Sequence, residues 1–169
     1  MANKTKKMLV VDVETDGLLD NMTTIHCAVA KDIFTQEIFT FRPHEIENLV
    51  RMIEDQIIIG HNLIAFDIPA LWQWCEWNDS KFIGEMYMQV QSEIDTLVMS
   101  RLLNPDRERP KGLPQKVGPH SLEAWGMRLG FPKGDCESFA EYSEDMLEYC
   151  KRDVEVTHEV YKALCKEMT

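Results

Sequence analysis

The chain is poor in several things that would otherwise define its class. It has no run of about eighteen apolar residues, which excludes an ordinary membrane-spanning helix. Its first residues, Met-Ala-Asn-Lys-Thr-Lys-Lys, lack the apolar stretch that completes a signal peptide, so residues 1–7 read as a flexible tail and the expected location is the cytoplasm. The five cysteines, Cys27, Cys75, Cys136, Cys150 and Cys165, are odd in number and show no Cys-x-x-Cys spacing. They fit small buried hydrophobes in a reducing compartment better than a disulfide frame. His26, His44, His61, His120 and His158 show no metal-ligand spacing. Basic residues are scarce as well. With 18 Lys and Arg against 29 Asp and Glu, the formal charge is −11, which argues against tight unaided binding to a long phosphate backbone. There is no internal repeat or low-complexity tract, and 169 residues suffice for one domain with a real core.

What the chain does have is carboxylates in informative places. Met8-Leu9-Val10-Val11 is a short apolar run typical of a buried strand, and Asp12 and Glu14 follow at its C-terminal end. Strand alternation sends both to one face. Asp-x-Glu recurs at Asp106/Glu108, Asp135/Glu137 and Asp153/Glu155, so the strand context is what singles out the first pair. Ile57-Ile58-Ile59-Gly60 reads as a second buried strand, and His61-Asn62 leads into a helix whose apolar positions Ile68, Leu71, Trp72 and Cys75 suit one buried face. Asp67 lies at its opening turn, where a carboxylate is favoured by the helix dipole.

Ser143 followed by Glu144 and Asp145 announces a long C-terminal helix. Leu147, Cys150, Val154, Thr157, Tyr161, Leu164 and Met168 form its apolar stripe. Tyr149 and Asp153, four residues apart, lie one above the other about 6 Å along the axis, so both can reach one site. Asp12, Glu14, Asp67 and Asp153 form a hard oxygen ligand set suited to Mg²⁺. Two such ions about 3.5–4 Å apart can activate a nucleophile and stabilise the leaving oxygen in phosphodiester hydrolysis. A tyrosine hydroxyl can orient the attacking water or help to deprotonate it.

Val11-Asp12-Val13-Glu14-Thr15-Asp16-Gly17-Leu18, Asn62-x3-Phe66-Asp67 and Tyr149-x3-Asp153 resemble the three motifs of the DEDDy branch of DnaQ-like 3′-5′ exonucleases. The likeness is closest to the proofreading domain of podovirus-type phage family A DNA polymerases. The segments Ile94–Leu102 and His120–Gly130 extend it over nearly the whole chain. The histidine-using branch would want His five residues before Asp153, where Glu148 stands.

The resemblance implies a metal-dependent exonuclease that releases nucleoside 5′-monophosphates from the 3′ end of single-stranded DNA. Its cofactors would be two divalent cations, Mg²⁺ or Mn²⁺, and its partner a DNA polymerase subunit or domain, in the host cytoplasm if the chain is phage-encoded. Asp12 would bridge both ions, Glu14 and Asp153 would complete one site, Asp67 would hold the second ion through water, and Tyr149 would position the nucleophile. Thr15, Leu18, Asn62, Phe66 and His120 would contact substrate, with Phe66 standing where many relatives carry Tyr. An RNase D-like RNA exonuclease would use the same residues, and an inactive DnaQ-like interaction module is the alternative from another class.

The expected fold is α/β: a ribonuclease H-like three-layer arrangement over residues 1–169, with a mixed five-stranded sheet flanked by helices. Thr24–Ala30 and Glu37–Phe41 read as antiparallel strands, Glu45–Ile53 as a helix, and Gly130 and Pro132 as stops for a helix begun near Ser121. Asp95 reads equally as a helix cap or a support for the site. The Arg101–Lys116 loop, with Arg101, Arg107, Arg109, Lys111 and Lys116 against Asp106 and Glu108, is a candidate guide for the substrate strand. Trp72, Trp74 and Trp77 are expected to pack rather than stack on bases.

Overall fold

A computed structural model describes residues 6–78, 90–131, 134 and 136–169. Five strands, β1 (Met8–Thr15), β2 (Ile25–Asp32), β3 (Ile38–Phe41), β4 (Ile57–Gly60) and β5 (Ser92–Asp95), form one sheet in the order β3-β2-β1-β4-β5. β1 pairs antiparallel with β2 and parallel with β4, so the sheet is mixed with β1 at its centre. The helices are α1 (Ile46–Ile53), entered through a 3₁₀ turn at Pro43–Glu45, α2 (Asp67–Trp77), α3 (Thr96–Leu103), α4 (Leu122–Leu129) and α5 (Glu144–Glu167). None of the described helices is long and apolar enough to cross a membrane.

Alternation along β1 divides the core in two. Leu9, Val11 and Val13 point to one side, where they pack with Leu49, Val50 and Ile53 of α1 and with Ile68 and Leu71 of α2. Val10 points to the other, joining Cys27 and Val29 of β2, Ile59 of β4, and Met146, Leu147, Cys150 and Val154 of α5. A third cluster, Trp125, Val156, Val160 and Leu164, binds α4 to α5. The result is the α/β three-layer fold that the sequence leads one to expect.

Local signals act where the sequence places them. The Ser143 hydroxyl accepts the Met146 N–H and opens α5, and Ser121 does the same for α4 through Ala124. Gly130, at φ 74°, ends α4 with paired bonds from Gly130 N to Met127 O (3.4 Å) and Phe131 N to Gly126 O (2.8 Å). Pro132 and residues 1–5 of the expected tail lie outside the described residues. Lys7, assigned to the same tail, is already held in the fold: its N–H donates to Gln56 Oε1 (2.6 Å) and its carbonyl accepts from Ile57 N (3.1 Å).

Two stripe expectations need correction at their margins. In α2, Ile68, Ala70, Leu71 and Cys75 are buried, whereas Trp72 sits on the rim at 37% exposure and Trp77 at 44%. In α5 the stripe reaches the core down to Leu164, but Met168 is 64% exposed because the helix runs past the edge of its packing partners. Within the Arg101–Lys116 segment, Arg107 and Arg109 are tied into the fold, while Arg101, at the end of α3, and Lys111 and Lys116 are exposed. Arg107 forms a bidentate pair with Glu167 (2.9 and 2.6 Å) and lies 4.5 Å over the Trp125 ring, and Arg109 donates to the carbonyls of Val117, Leu113 and Pro114.

Ile58 is fully buried under α1 and α2. Ile58→Ala is expected to destabilise the chain by about 2–5 kcal/mol, read as a lower denaturation midpoint with an unchanged slope.

Candidate active site

The alternation that sends Val11 and Val13 into the α1/α2 core turns Asp12 and Glu14 the other way, toward α5, where both are half-buried. There they meet Cys150: ligand atoms of Asp12, Glu14 and Cys150 all lie within 4.8 Å of one another. The Cys150 thiol donates to the Asp12 carboxylate (3.4 Å) and backbone carbonyl (3.5 Å). Asp67 arrives from the opposite layer at the first residue of α2, and its buried Oδ1 accepts the Val13 N–H at 3.1 Å. Two elements on opposite faces of the sheet therefore converge on the end of β1.

From α5, Tyr149 and Asp153 complete the group, with the Tyr149 hydroxyl hydrogen-bonded to Asp153. The Phe139 ring stands edge-on to Tyr149, centroids 5.7 Å apart and planes at 80°. Phe139 is itself fixed through its carbonyl, 3.0 Å from His26 Nε2. A cleft of about 570 Å³ opens beside the pair, lined by Tyr149, Arg152 and Asp153 on one wall and by Glu123, Gly126 and Phe131 on the other.

These carboxylates are costly to ionise together. Burial holds Asp12 well above the ordinary carboxylate range, reinforced by the charges of Glu14, Asp67 and Asp153. Burial, then Asp153, Cys27 and Asp67, raise Glu14 to about 9. Burial raises Asp67 to about 8, with Asp95 adding to the effect and the Val13 amide opposing it. The Tyr149 hydroxyl is pushed up by burial and by Asp153, Glu14 and Asp12, so it stays a neutral phenol. Cys150 is likewise raised, by burial and then by its bond to Cys27, and acts as a neutral donor to Asp12 rather than a thiolate. Hard oxygen donors with surplus negative charge fit divalent cations of the Mg²⁺ class. A thiol not foreseen among the ligands, that of Cys150, stands beside Asp12 and Glu14.

The remaining predicted residues are dispersed around this centre. Thr15 is buried and its hydroxyl donates to Gly17 O (2.7 Å), shaping the turn after β1. Leu18 projects from that turn at 74% exposure, and the turn is tied down by Asp16, which accepts from Thr23 N (2.8 Å) and Thr24 N (3.1 Å). Asn62 adopts φ 67° in the turn before α2, and Phe66 packs against the α1/α2 core. His120 is built into the α3–α4 connection, with Nδ1 2.8 Å from Ser100 Oγ and Nε2 3.3 Å from Pro105 O. Cys150, Phe139 and His26 escape notice as site residues in the sequence. Cys150 is legible there only as one more apolar position of the α5 stripe.

A family model described as 3′-5′ exonuclease matches residues 1–169. The DNA-directed DNA polymerases of Escherichia phage T7 and Enterobacteria phage T3 are each 31% identical over 191 aligned residues, covering 95% of this chain and 27% of the relative. The chain thus spans only 27% of the length of these curated relatives. Among solved structures, Brucella melitensis NrnC bound to pGG superposes with a TM-score of 0.68 at 18% identity, covering 99% of this chain and 76% of that chain. Escherichia coli Exonuclease I in complex with a dT13 oligonucleotide gives 0.65 at 15%, covering 95% and 41%. NrnC with bound Mg²⁺ gives 0.66 at 19%, covering 99% and 76%. These likenesses establish the ribonuclease H-like exonuclease fold.

The raised carboxyls set a pH dependence. Each binds its proton more tightly folded than unfolded, so its stabilising contribution is complete below about pH 4 and is lost as pH rises through the folded values. In EDTA the melting temperature is expected to fall between about pH 6 and about pH 9. Millimolar Mg²⁺ should flatten that fall and raise the melting temperature. Glu14→Gln should melt higher than the parent in EDTA at about pH 8, because Glu14, ionised in the unfolded chain, must take up a proton to be buried there and a neutral amide need not. Thermal scans across that range, with and without metal, check all three.

Proposed function

Because the chain belongs to the 3′-5′ exonuclease family, whose model matches it from end to end, we propose that it removes nucleotides from the 3′ end of single-stranded DNA as nucleoside 5′-monophosphates. The observation that carries this reading is the convergence of Asp12, Glu14, Asp67 and Asp153 around Tyr149 at the end of β1. The preference for DNA, and a role in proofreading beside a polymerase in the host cytoplasm, rest on the two phage polymerases to which the chain is similar. The formal charge of −11 agrees with a partner that delivers the strand.

Asp12, Glu14, Asp67 and Asp153 would together hold the divalent cations, Mg²⁺ or Mn²⁺. When bound, such ions supply an activated water and stabilise charge on the leaving oxygen. Tyr149, kept protonated by burial and neighbouring charge, donates its hydrogen to Asp153 and leaves its oxygen lone pair to accept from the attacking water. It therefore orients the nucleophile rather than deprotonating it as a phenolate. The Phe139 edge restrains the Tyr149 ring in that pose. Exposed Leu18 would wedge against the terminal base, while Thr15, Asn62, Phe66 and His120 would shape the channel around the last nucleotides.

Digestion of a 5′-labelled single-stranded DNA oligomer with Mg²⁺ or Mn²⁺ should give a ladder shortening from the 3′ end. A matched RNA oligomer should be cut more slowly, and faster RNA cleavage would favour an RNA exonuclease instead. Asp153→Ala should lose turnover to background, because a cation ligand is removed. Tyr149→Phe should keep a measurable remnant, reduced by about 10²- to 10⁴-fold. Equal losses in the two variants would contradict this division of roles. No cleavage of either oligomer by the unaltered chain would point to an interaction module.

A further inference from the structure

Asp95 makes more bonds than a helix cap requires. It ends β5 and lies buried, 5% exposed, at the start of α3. Its Oδ1 accepts from Leu97 N (2.9 Å) and Val98 N (3.3 Å), the ordinary bonds of an N-cap. The same carboxylate also accepts from two amides more than thirty residues earlier in the chain: Asn62 N on Oδ1 (3.0 Å) and Ile64 N on Oδ2 (3.1 Å). Four backbone donors thus converge on one carboxylate.

Asn62 and Ile64 belong to the turn between β4 and α2, and that turn aims Asp67. Asn62 sits at φ 67°, a left-handed conformation that asparagine accepts more readily than most non-glycine residues. From Asn62 the bonding continues: its carbonyl accepts from Phe66 N (3.0 Å), Leu63 O accepts from Ile68 N (3.1 Å), and Asp67 then reaches Val13. Beside Asp95, the Thr96 hydroxyl donates to Gly60 O (3.1 Å) and fixes the other end of the turn. The turn is clamped to the β5–α3 junction at both ends.

We propose that Asp95 is a positioning residue for the exonuclease reaction: by clamping Asn62 and Ile64 it sets where Asp67 stands relative to Asp12, and so how tightly the site takes a divalent cation. This rests on the reading that Asp67 helps to hold a cation. Both Asp95 oxygens are engaged by backbone amides, so it is assigned no direct contact with cation or substrate. Its effect passes through the turn, as in sites where the groups bonded behind the ligands are needed for metal affinity.

Asp95→Asn is a discriminating change because it keeps the size and the Oδ1 acceptor but sets an amide N–H₂ against the Ile64 N–H. Mn²⁺ binding to the full chain, followed by electron paramagnetic resonance without substrate, should weaken about tenfold. Backbone amide exchange at Ile64 and Asn62 should quicken. Ser121→Ala removes an ordinary cap of the neighbouring α4 and should leave Mn²⁺ affinity unchanged, which separates positioning from general loss of stability. Unchanged Mn²⁺ affinity in Asp95→Asn, or unchanged exchange at Ile64, would overturn the proposal. Should the exonuclease reading itself fail, that will show as absent DNA digestion by the unaltered chain, while the Mn²⁺ and exchange measurements still decide the role of Asp95.

Discussion

Side-chain alternation along β1 is the constraint on which the rest depends. A strand buried on both faces must supply apolar residues to two cores, and β1 does so with Leu9, Val11 and Val13 on one side and Val10 on the other. Asp12 and Glu14 continue the second face just where apolar packing stops. They are carried into partial burial by the strand, since the hydrophobic residues beside them fix the register against β2 and β4. Repulsion among carboxylates is thus imposed on the site by a core that gains far more from burying its apolar neighbours.

A site assembled against electrostatic repulsion needs anchors, and this chain takes them largely from backbone amides. Asp67 accepts from Val13, Asp16 from Thr23 and Thr24, and Asp95 from four amides on two segments. Amides carry no net charge, so they orient a carboxylate without neutralising it. Under the proposed function, that would leave the charge of the centre available to a cation. Cys150 follows the same logic with a neutral thiol. Cation pairs are used elsewhere, as in Arg107–Glu167 and Arg42–Glu144, where they join segments away from the catalytic end of β1.

Much of the fold was legible because its signals are local. Strand runs, the Ser143 and Ser121 caps and the Gly130 stop act within a turn or two of themselves, and the structure uses each as expected. Stripe margins were less legible: Trp72 has helical spacing but lies at the rim, since which neighbour covers a position depends on where the other layers end. The partners of the loop arginines were illegible for a related reason. Charge counting cannot foresee that Arg107 has Glu167 beside it and Trp125 beneath it, because those partners are distant in the chain.

The sequence by itself determined the chemistry on offer: which carboxylates end a strand or open a helix, that Tyr149 and Asp153 share a helix face, and that the whole resembles one exonuclease family. Those properties follow from spacing and residue type, which short-range backbone geometry translates directly into direction. Only the tertiary structure decided how the pieces meet. It set Cys150 against Asp12, Phe139 against Tyr149, and Asp95 beneath the turn that carries Asn62 and Asp67. Such contacts join residues beyond the reach of a single turn, and in the case of Cys150 and Asp12 from opposite ends of the chain, so nothing local encodes them. They arise when three layers close around β1 and bring distant side chains within bonding distance.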